Sequence, residues 1–312
     1  MPVLVLVEHA GGKAADPSLQ TLTLARTFGS PVHALVVGNA VDLSAHGVAV
    51  THVPQDEALG SFAPDAWAAM LGQLADTLNA GAIFAAGTER GNEVMARVAA
   101  RSNLPLATNC LAVSAGDPVT LTRQRWGGSL LEEARMYTPR PLITVAPHTI
   151  PIEPATRESK VERFTPQLKE QELVVRVVEH VAAAGGGVSL AEAKVVVSGG
   201  RGVGSKEGFA IIEELAALLG GAVGCSRVVT SAGWRPHSDQ VGQTGTKISP
   251  DLYIAAGISG ATQHMAGCKG AKRILAINAD PEAPIMQNAD YAVVGDLKEI
   301  VPAISAEVRK LK

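Results

Sequence analysis

Lys194–Leu219 reads KVVVSGGRGVGSKEGFAIIEELAALL. The apolar run Lys194–Ser198 predicts a strand, and Gly199–Ser205 (GGRGVGS) predicts a tight turn. Phe209, Ile212, Leu215 and Leu219 then recur at three- and four-residue steps, which predicts a helix over Lys206–Leu219. A strand feeding a helix through glycines is the repeating unit of open parallel sheets, because parallel neighbours need a crossover between them. The pattern continues outward in both directions. Downstream, strands are expected at Leu252–Ala256, Arg273–Asn278 and Tyr291–Val294, with a closing helix over Leu297–Leu311. Upstream, Val3–Val7, Val32–Val37, Ala82–Ala86 and Leu142–Ala146 read as strands buried on both faces, separated by helices over Ser18–Phe28, Pro64–Leu78 and Asn92–Arg101. The expected fold is α/β: two domains, each a mainly parallel, Rossmann-like sheet flanked by helices.

A length of 312 residues with 46% hydrophobic content supports two cores. Residues 147–170 carry Pro147, Pro151, Pro154 and Pro166 among charges; a strand-like Leu173–Val178 and then AAAGGG, Ala182–Gly187, follow. That glycine tract is the expected linker, placing the domains at 1–187 and 188–312. The 27 basic and 30 acidic side chains nearly balance, and aromatics make up only 4%, which argues against a nucleic-acid groove. Cys110, Cys225 and Cys268 lie far apart, without metal-ligand or disulfide spacing, which fits a reducing compartment. No run approaches the length of a membrane span, and MPVLVLVEHA lacks the features of a targeting leader; a cytoplasmic location is expected.

The glycine turn admits several chemistries. Backbone N–H groups at a helix start after glycines can hold an anion. A P-loop requires Gly-Lys-Ser/Thr, whereas Ser205-Lys206 stands in the reversed order, so that reading fails. A dinucleotide fingerprint requires a last glycine where Ser205 stands, and an acid after the next strand, where Ala222–Val228 has none. A nicotinamide-dependent oxidoreductase is therefore the runner-up. A tight turn that merely needs glycine is the bland alternative.

Four further loops favour a ligand. Gly224–Arg227 (GCSR) leads on to Gln240–Gly245 (QVGQTG), a polar loop that no periodicity explains. Gly257–Gly267 (GISGATQHMAG) follows a strand and opens a helix, and Asn278–Pro284 (NADPEAP) leaves another strand. Polar, glycine-bearing loops after several strands mark where open parallel sheets bind ligands, here one extended nucleotide.

These residues resemble the α subunit of electron transfer flavoprotein. LYIAAGISGATQHMAG followed six residues later by ILAIN matches the family signature almost position by position, and SGGRG and QVGQTG stand in the expected order. The likeness is strongest over residues 194–303, and VLVLVEH with Ala82–Ala112 is similar to the family's first domain. Thr262, the extra Thr246 that sets Lys247 one position late, and Cys225 depart from the usual pattern.

The resemblance implies FAD in the second domain and a β subunit as partner, forming an αβ heterodimer. It implies an electron carrier rather than an enzyme, fed by acyl-CoA or related flavin dehydrogenases and discharging to a quinone oxidoreductase, as in fatty acid β-oxidation. Carried over by position, cofactor contacts fall on Arg201, Ser226, Arg227, Gln240, Val241, Gly242, Gln243, Thr244, Ser259, Gly260, Ala261, Thr262, Gln263, His264, Asn278 and Asp296. Thr244 is implied near flavin N5, His264 near O2 and Arg227 over the ring, with Ser259–Ala261 serving the pyrophosphate. No catalytic residue and no metal ligand is expected. The residue types suit the task, since reduced flavin carries negative charge near N1 and O2 that an imidazole and a guanidinium stabilise. Asp296 reads equally well as a helix N-cap. Trp234 reads as packing.

Overall fold

A computed structural model describes residues 1–126, 130–177, 190–191 and 193–311. The chain divides into two compact units, Met1–His180 and Val181–Lys312. The expected linker Ala182–Gly187 and the expected boundary at residue 188 lie outside the described residues.

In the first unit, β1 (Val3–Val7) leads through a small hairpin, β2 (His9–Ala10) and β3 (Lys13–Ala14), into α1 (Asp16–Arg26). Strands β4 (Val32–Val36) and β5 (Val48–Pro54) precede α2 (Pro64–Thr77), β6 (Ala82–Ala86) and α3 (Glu89–Ser102). Then come β7 (Leu106–Ser114), β8 (Val119–Arg125), β9 (Leu130–Met136), β10 (Leu142–Val145) and β11 (Lys160–Phe164). Among the described residues the main sheet has the order β11-β5-β4-β1-β6-β10-β7-β8-β9. It is parallel from β11 to β7, and β8 and β9 extend it antiparallel. The continuous apolar run of β1 follows from cover on both faces. Val3, Val5 and Val7 pack with Leu22 and Ala25 of α1, while Leu4 and Leu6 meet Trp67, Met70 and Leu71 of α2.

The expected strand at Leu173–Val178 is not formed over its described part. Glu170–Leu173 winds into a 3₁₀ turn instead. The buried Glu172 carboxylate accepts the Lys169 N–H at 2.8 Å and pairs with Arg101, which holds that turn against α3. Among the described residues, seven strands of this unit went unread: β2, β3, β5, β7, β8, β9 and β11. In β8 (VTLTRQR) and β9 (LLEEARM) charged and polar residues interrupt the apolar run that marks a buried strand.

The second unit is built from β12 (Val195–Gly199), α4 (Ala210–Leu218), β13 (Ala222–Cys225), α5 (Arg227–Ser231), β14 (Leu252–Ala256), α6 (Thr262–Cys268), β15 (Ile274–Asn278), α7 (Pro284–Gln287), β16 (Tyr291–Val294) and α8 (Leu297–Lys310). Its sheet is parallel, in the order β13-β12-β14-β15-β16. The chain leaves β12 for β13 on one side and returns to β14 on the other. That reversal opens a crevice beyond the carboxyl ends of β12 and β14, the topological switch point of such sheets. The helix expected over Lys206–Leu219 is α4, preceded by a 3₁₀ turn at Glu207–Phe209. β13, only four residues with a glycine inside, was not anticipated. Gly224 is required there, because a Cβ would lie 2.3 Å from Ser198 Oγ on β12.

Candidate functional site

Every polar loop singled out above leaves the same edge of the second sheet, and backbone contacts bind these loops to one another. The Gly200 N–H donates to the Ala256 carbonyl at 2.9 Å, and the Gly202 N–H to the Gly257 carbonyl at 3.1 Å. A Cβ on Gly200 would sit 2.1 Å from the Gly257 oxygen, and one on Gly202 2.8 Å from Gly257 Cα. Gly257 itself holds φ +65°. The glycine turn thus serves first to press two strand-end loops together across the switch point. Leu297, which opens α8, packs against the same glycine pair.

The QVGQTG loop is seated in the same way. The Val241 N–H donates to the Cys225 carbonyl at 2.9 Å, and the Gln243 N–H to the Gln263 carbonyl at 2.7 Å. Gly242 backs onto α6, where a Cβ on Gly267 would lie 2.3 Å from the Gly242 nitrogen. Gln240 is buried and spent on the loop: its Oε1 accepts the Thr230 hydroxyl at 2.7 Å, and its Nε2 donates to Thr244 Oγ1 at 3.0 Å. Arg235 steadies the intervening segment through Asp239 and Glu213, and its guanidinium lies over the Phe209 ring. Trp234 packs on the same apolar cluster, as expected of it.

Asn278, at the end of β15, donates from Nδ2 to the Ile258 carbonyl at 2.9 Å and accepts the Asp280 N–H at 3.0 Å. The Ile285 N–H donates to the Ser259 carbonyl at 3.1 Å, and Gly260, at φ +79°, has no room for a Cβ beside Ile285. Ala261 precedes α6, Thr262 and Gln263 begin it, and all three are exposed. Asp296 is the N-cap of α8 and accepts the Lys298 N–H at 2.8 Å. Ser226 is the buried residue before α5, and its N–H donates to the Gly199 carbonyl at 3.1 Å. Arg227, Thr244 and Arg201 are exposed at the rim. Among the described residues, neither arginine has a side-chain hydrogen bond or ion pair, so both cations are free for an anionic or aromatic ligand.

His264 differs from the rim residues. It is buried, its Nε2 lies 2.7 Å from the Tyr253 hydroxyl, and its Nδ1 is buried without a hydrogen bond. Burial drives its pKa down to about 4, so the ring is neutral. Ser198, near the end of β12, is buried beside the Tyr253 phenol and lowers its pKa against the larger rise from burial. Burial also pushes the thiols of Cys225 and Cys268 up to about 12, which leaves them inert. Tyr253 escaped the sequence reading. The signal was present: a phenol inside an otherwise apolar strand, LYIAA, needs a buried partner for its hydroxyl.

The depressed histidine pKa sets an acid response. Between its ordinary 6.5 and about 4, the unfolded chain binds a proton that folded His264 refuses, so stability rises with pH across that window. We expect the urea midpoint of the full chain to fall from pH 7 to pH 5, and His264→Gln to flatten part of that fall. Buried His52, the part-exposed His33 and His46, and His148 at the surface, each lowered mainly by desolvation, also contribute. Identical slopes in both proteins would remove His264 as a cause.

Known proteins match the sequence of both units. Residues 3–168 match the electron transfer flavoprotein domain, and residues 189–269 match the electron transfer flavoprotein FAD-binding domain. The electron transfer flavoprotein subunit alpha of Thermoanaerobacterium thermosaccharolyticum is 35% identical, covering 99% of this chain and 98% of its own. The chain belongs to the electron transfer flavoprotein α-subunit family. The Mycobacterium tuberculosis member is 39% identical over 99% of each chain, and Protein FixB of Clostridium saccharobutylicum 36% over 99% and 96%.

FAD is accordingly the cofactor of the second unit. The residues fit it. The edge offers two unpaired guanidinium groups, exposed hydroxyls and a neutral buried imidazole whose Nδ1 has no hydrogen bond. Among the described residues no helix is long and apolar enough to cross a membrane.

Proposed function

We propose that this family member is the FAD-bearing half of an αβ heterodimer. It would accept electrons from acyl-CoA dehydrogenase-type flavoproteins and pass them to a quinone oxidoreductase or similar acceptor. The observation that carries the reading is the convergence of the strand-end loops on one sheet edge, in a chain whose second unit matches an FAD-binding domain. FAD, when bound, supplies both one- and two-electron chemistry. The chain's own residues bind and tune it. Ser259–Ala261 and the Gly200–Arg201 turn would receive the pyrophosphate, with Asn278 and Asp296 on the adenosine side. Arg227, Thr244 and His264 would surround the ring system, with Ser226, Gln240–Gln243, Thr262 and Gln263 completing its frame. None of these forms an acid–base or nucleophile–base pair, which suits a carrier rather than a catalyst acting on a bound organic substrate.

We assign residues 1–187 to partner contact and 188–312 to the cofactor. Trp126, Leu130, Leu131 and Tyr137, apolar side chains exposed in the β8–β9 region of the first unit, support a covered face there. Three buried, unpaired cysteines suit a reducing cytoplasm.

Co-expression with a β subunit tests the reading. The expected product is a yellow complex that elutes as a heterodimer and releases FAD on denaturation, whereas the chain alone is poorly soluble or loses flavin. A colourless preparation that binds NAD would overturn the carrier reading in favour of a nicotinamide enzyme. A stable, fully flavinylated monomer would overturn the heterodimer.

A further inference from the structure

Tyr253 stands on β14 with no exposed surface, inside the cluster of Val241, Ile248, Met265 and Cys268. A hydroxyl left unpaired in such a place costs about 1–3 kcal/mol. Its partner is His264 Nε2, at 2.7 Å. Burial raises the phenol pKa well above its ordinary value, so the hydroxyl keeps its proton and has one to donate. A neutral imidazole carries a single N–H, and the bond made by one nitrogen decides which atom bears it. The reverse arrangement, an Nε2–H donating to the phenol oxygen, leaves the phenol proton only Ser198 on the neighbouring strand, and that contact lowers the phenol pKa, as a hydroxyl donating to the phenol oxygen does.

We propose that Tyr253 is a positioning residue that holds His264 as the Nδ1–H tautomer, so that the ring offers a neutral, pre-aimed donor to an acceptor atom of the flavin. The inference rests on the FAD reading above. It assigns a purpose to Nδ1, which is buried without a hydrogen bond. It also explains why a tyrosine occupies a strand that otherwise takes aliphatic residues.

The test uses the reconstituted heterodimer with nitrogen-15-labelled histidine. In the wild type, His264 should show a protonated Nδ1 and a hydrogen-bonded, unprotonated Nε2. Tyr253→Phe should retain FAD but lose that signature, moving the proton to Nε2. The preference for reduced over oxidised flavin should fall three- to tenfold, roughly 30–59 mV for a one-electron couple. In a His264→Gln background the same tyrosine change should leave the potential unmoved, since its effect passes through the imidazole. A yellow wild-type complex with the proton on Nε2 overturns this proposal alone, as does Tyr253→Phe with unchanged tautomer and potential. A colourless wild-type complex overturns the FAD reading and this proposal with it. Should Tyr253→Phe fail to fold, the wild-type tautomer still decides.

Discussion

Gly200→Ala is expected to cost the protein most of its FAD. A methyl group on that carbon would stand 2.1 Å from the Gly257 oxygen, 2.6 Å from its carbonyl carbon and 2.8 Å from Ile258 Cα. All three are backbone atoms, so no side-chain rotation relieves the contact; the loops after β12 and β14 must separate. Forced overpacking of this kind costs roughly 1–3 kcal/mol. The same displacement breaks the Gly200–Ala256 and Gly202–Gly257 hydrogen bonds that set the crevice width. Flavin affinity should fall by at least about tenfold, or 1.4 kcal/mol. Gly220→Ala is the control. That glycine also has positive φ, +63°, but nothing lies within 4 Å of its would-be Cβ. It should pay only the left-handed backbone cost of about 1 kcal/mol and keep its FAD. Equilibrium dialysis of both variants, alongside urea unfolding, separates the two effects. Equal flavin retention by Gly200→Ala and wild type would show that the switch-point contact does not shape the cofactor site.

The contrast between these glycines shows what was legible in the residues and what was not. The strand–turn–helix period of Lys194–Leu219 and the loops at 240–245 and 257–267 announced an open parallel sheet with ligand loops at one edge, because burial on both faces leaves continuous apolar runs. Which glycines serve a ligand and which serve backbone contact was not legible. A flexible turn, a phosphate cradle and a collision with Gly257 all read as glycine in one dimension. Gln240 illustrates the same limit. Its place in QVGQTG suggests a cofactor contact, yet its amide is occupied by Thr230 and Thr244 and shapes the loop instead. The antiparallel β8 and β9 were invisible because charged and polar residues break their sequences, VTLTRQR and LLEEARM, into pieces too short to read as an apolar run. Tyr253 was passed over because its partner His264 lies 11 residues away, on a different element.

Arg227→Ala is expected to lower the flavin potential by about 50–150 mV. Arg227 opens α5 directly after the buried Ser226, is exposed, and has no partner among the described residues, so its charge is not already neutralised by the protein. A permanent cation against the ring system favours whichever redox state carries more negative charge, which is the reduced one, and its loss therefore shifts the couple downward. Solvent screening of an exposed guanidinium, and the spread of charge over the ring, keep the effect well below that of a buried contact pair. Arg227→Lys should recover part of the shift: the charge survives on a flexible stem, but the planar group that stacks on a ring does not. Arg201→Ala, which removes a cation assigned to the pyrophosphate, should weaken FAD binding while moving the potential far less. Spectroelectrochemical titration of the reconstituted heterodimers reads all three. If Arg227→Ala binds FAD normally and its potential stays within about 20 mV of wild type, under roughly half a kcal/mol by the same conversion, then Arg227 is not at the ring. The free cation at the head of α5 would then belong to the partner or donor contact instead.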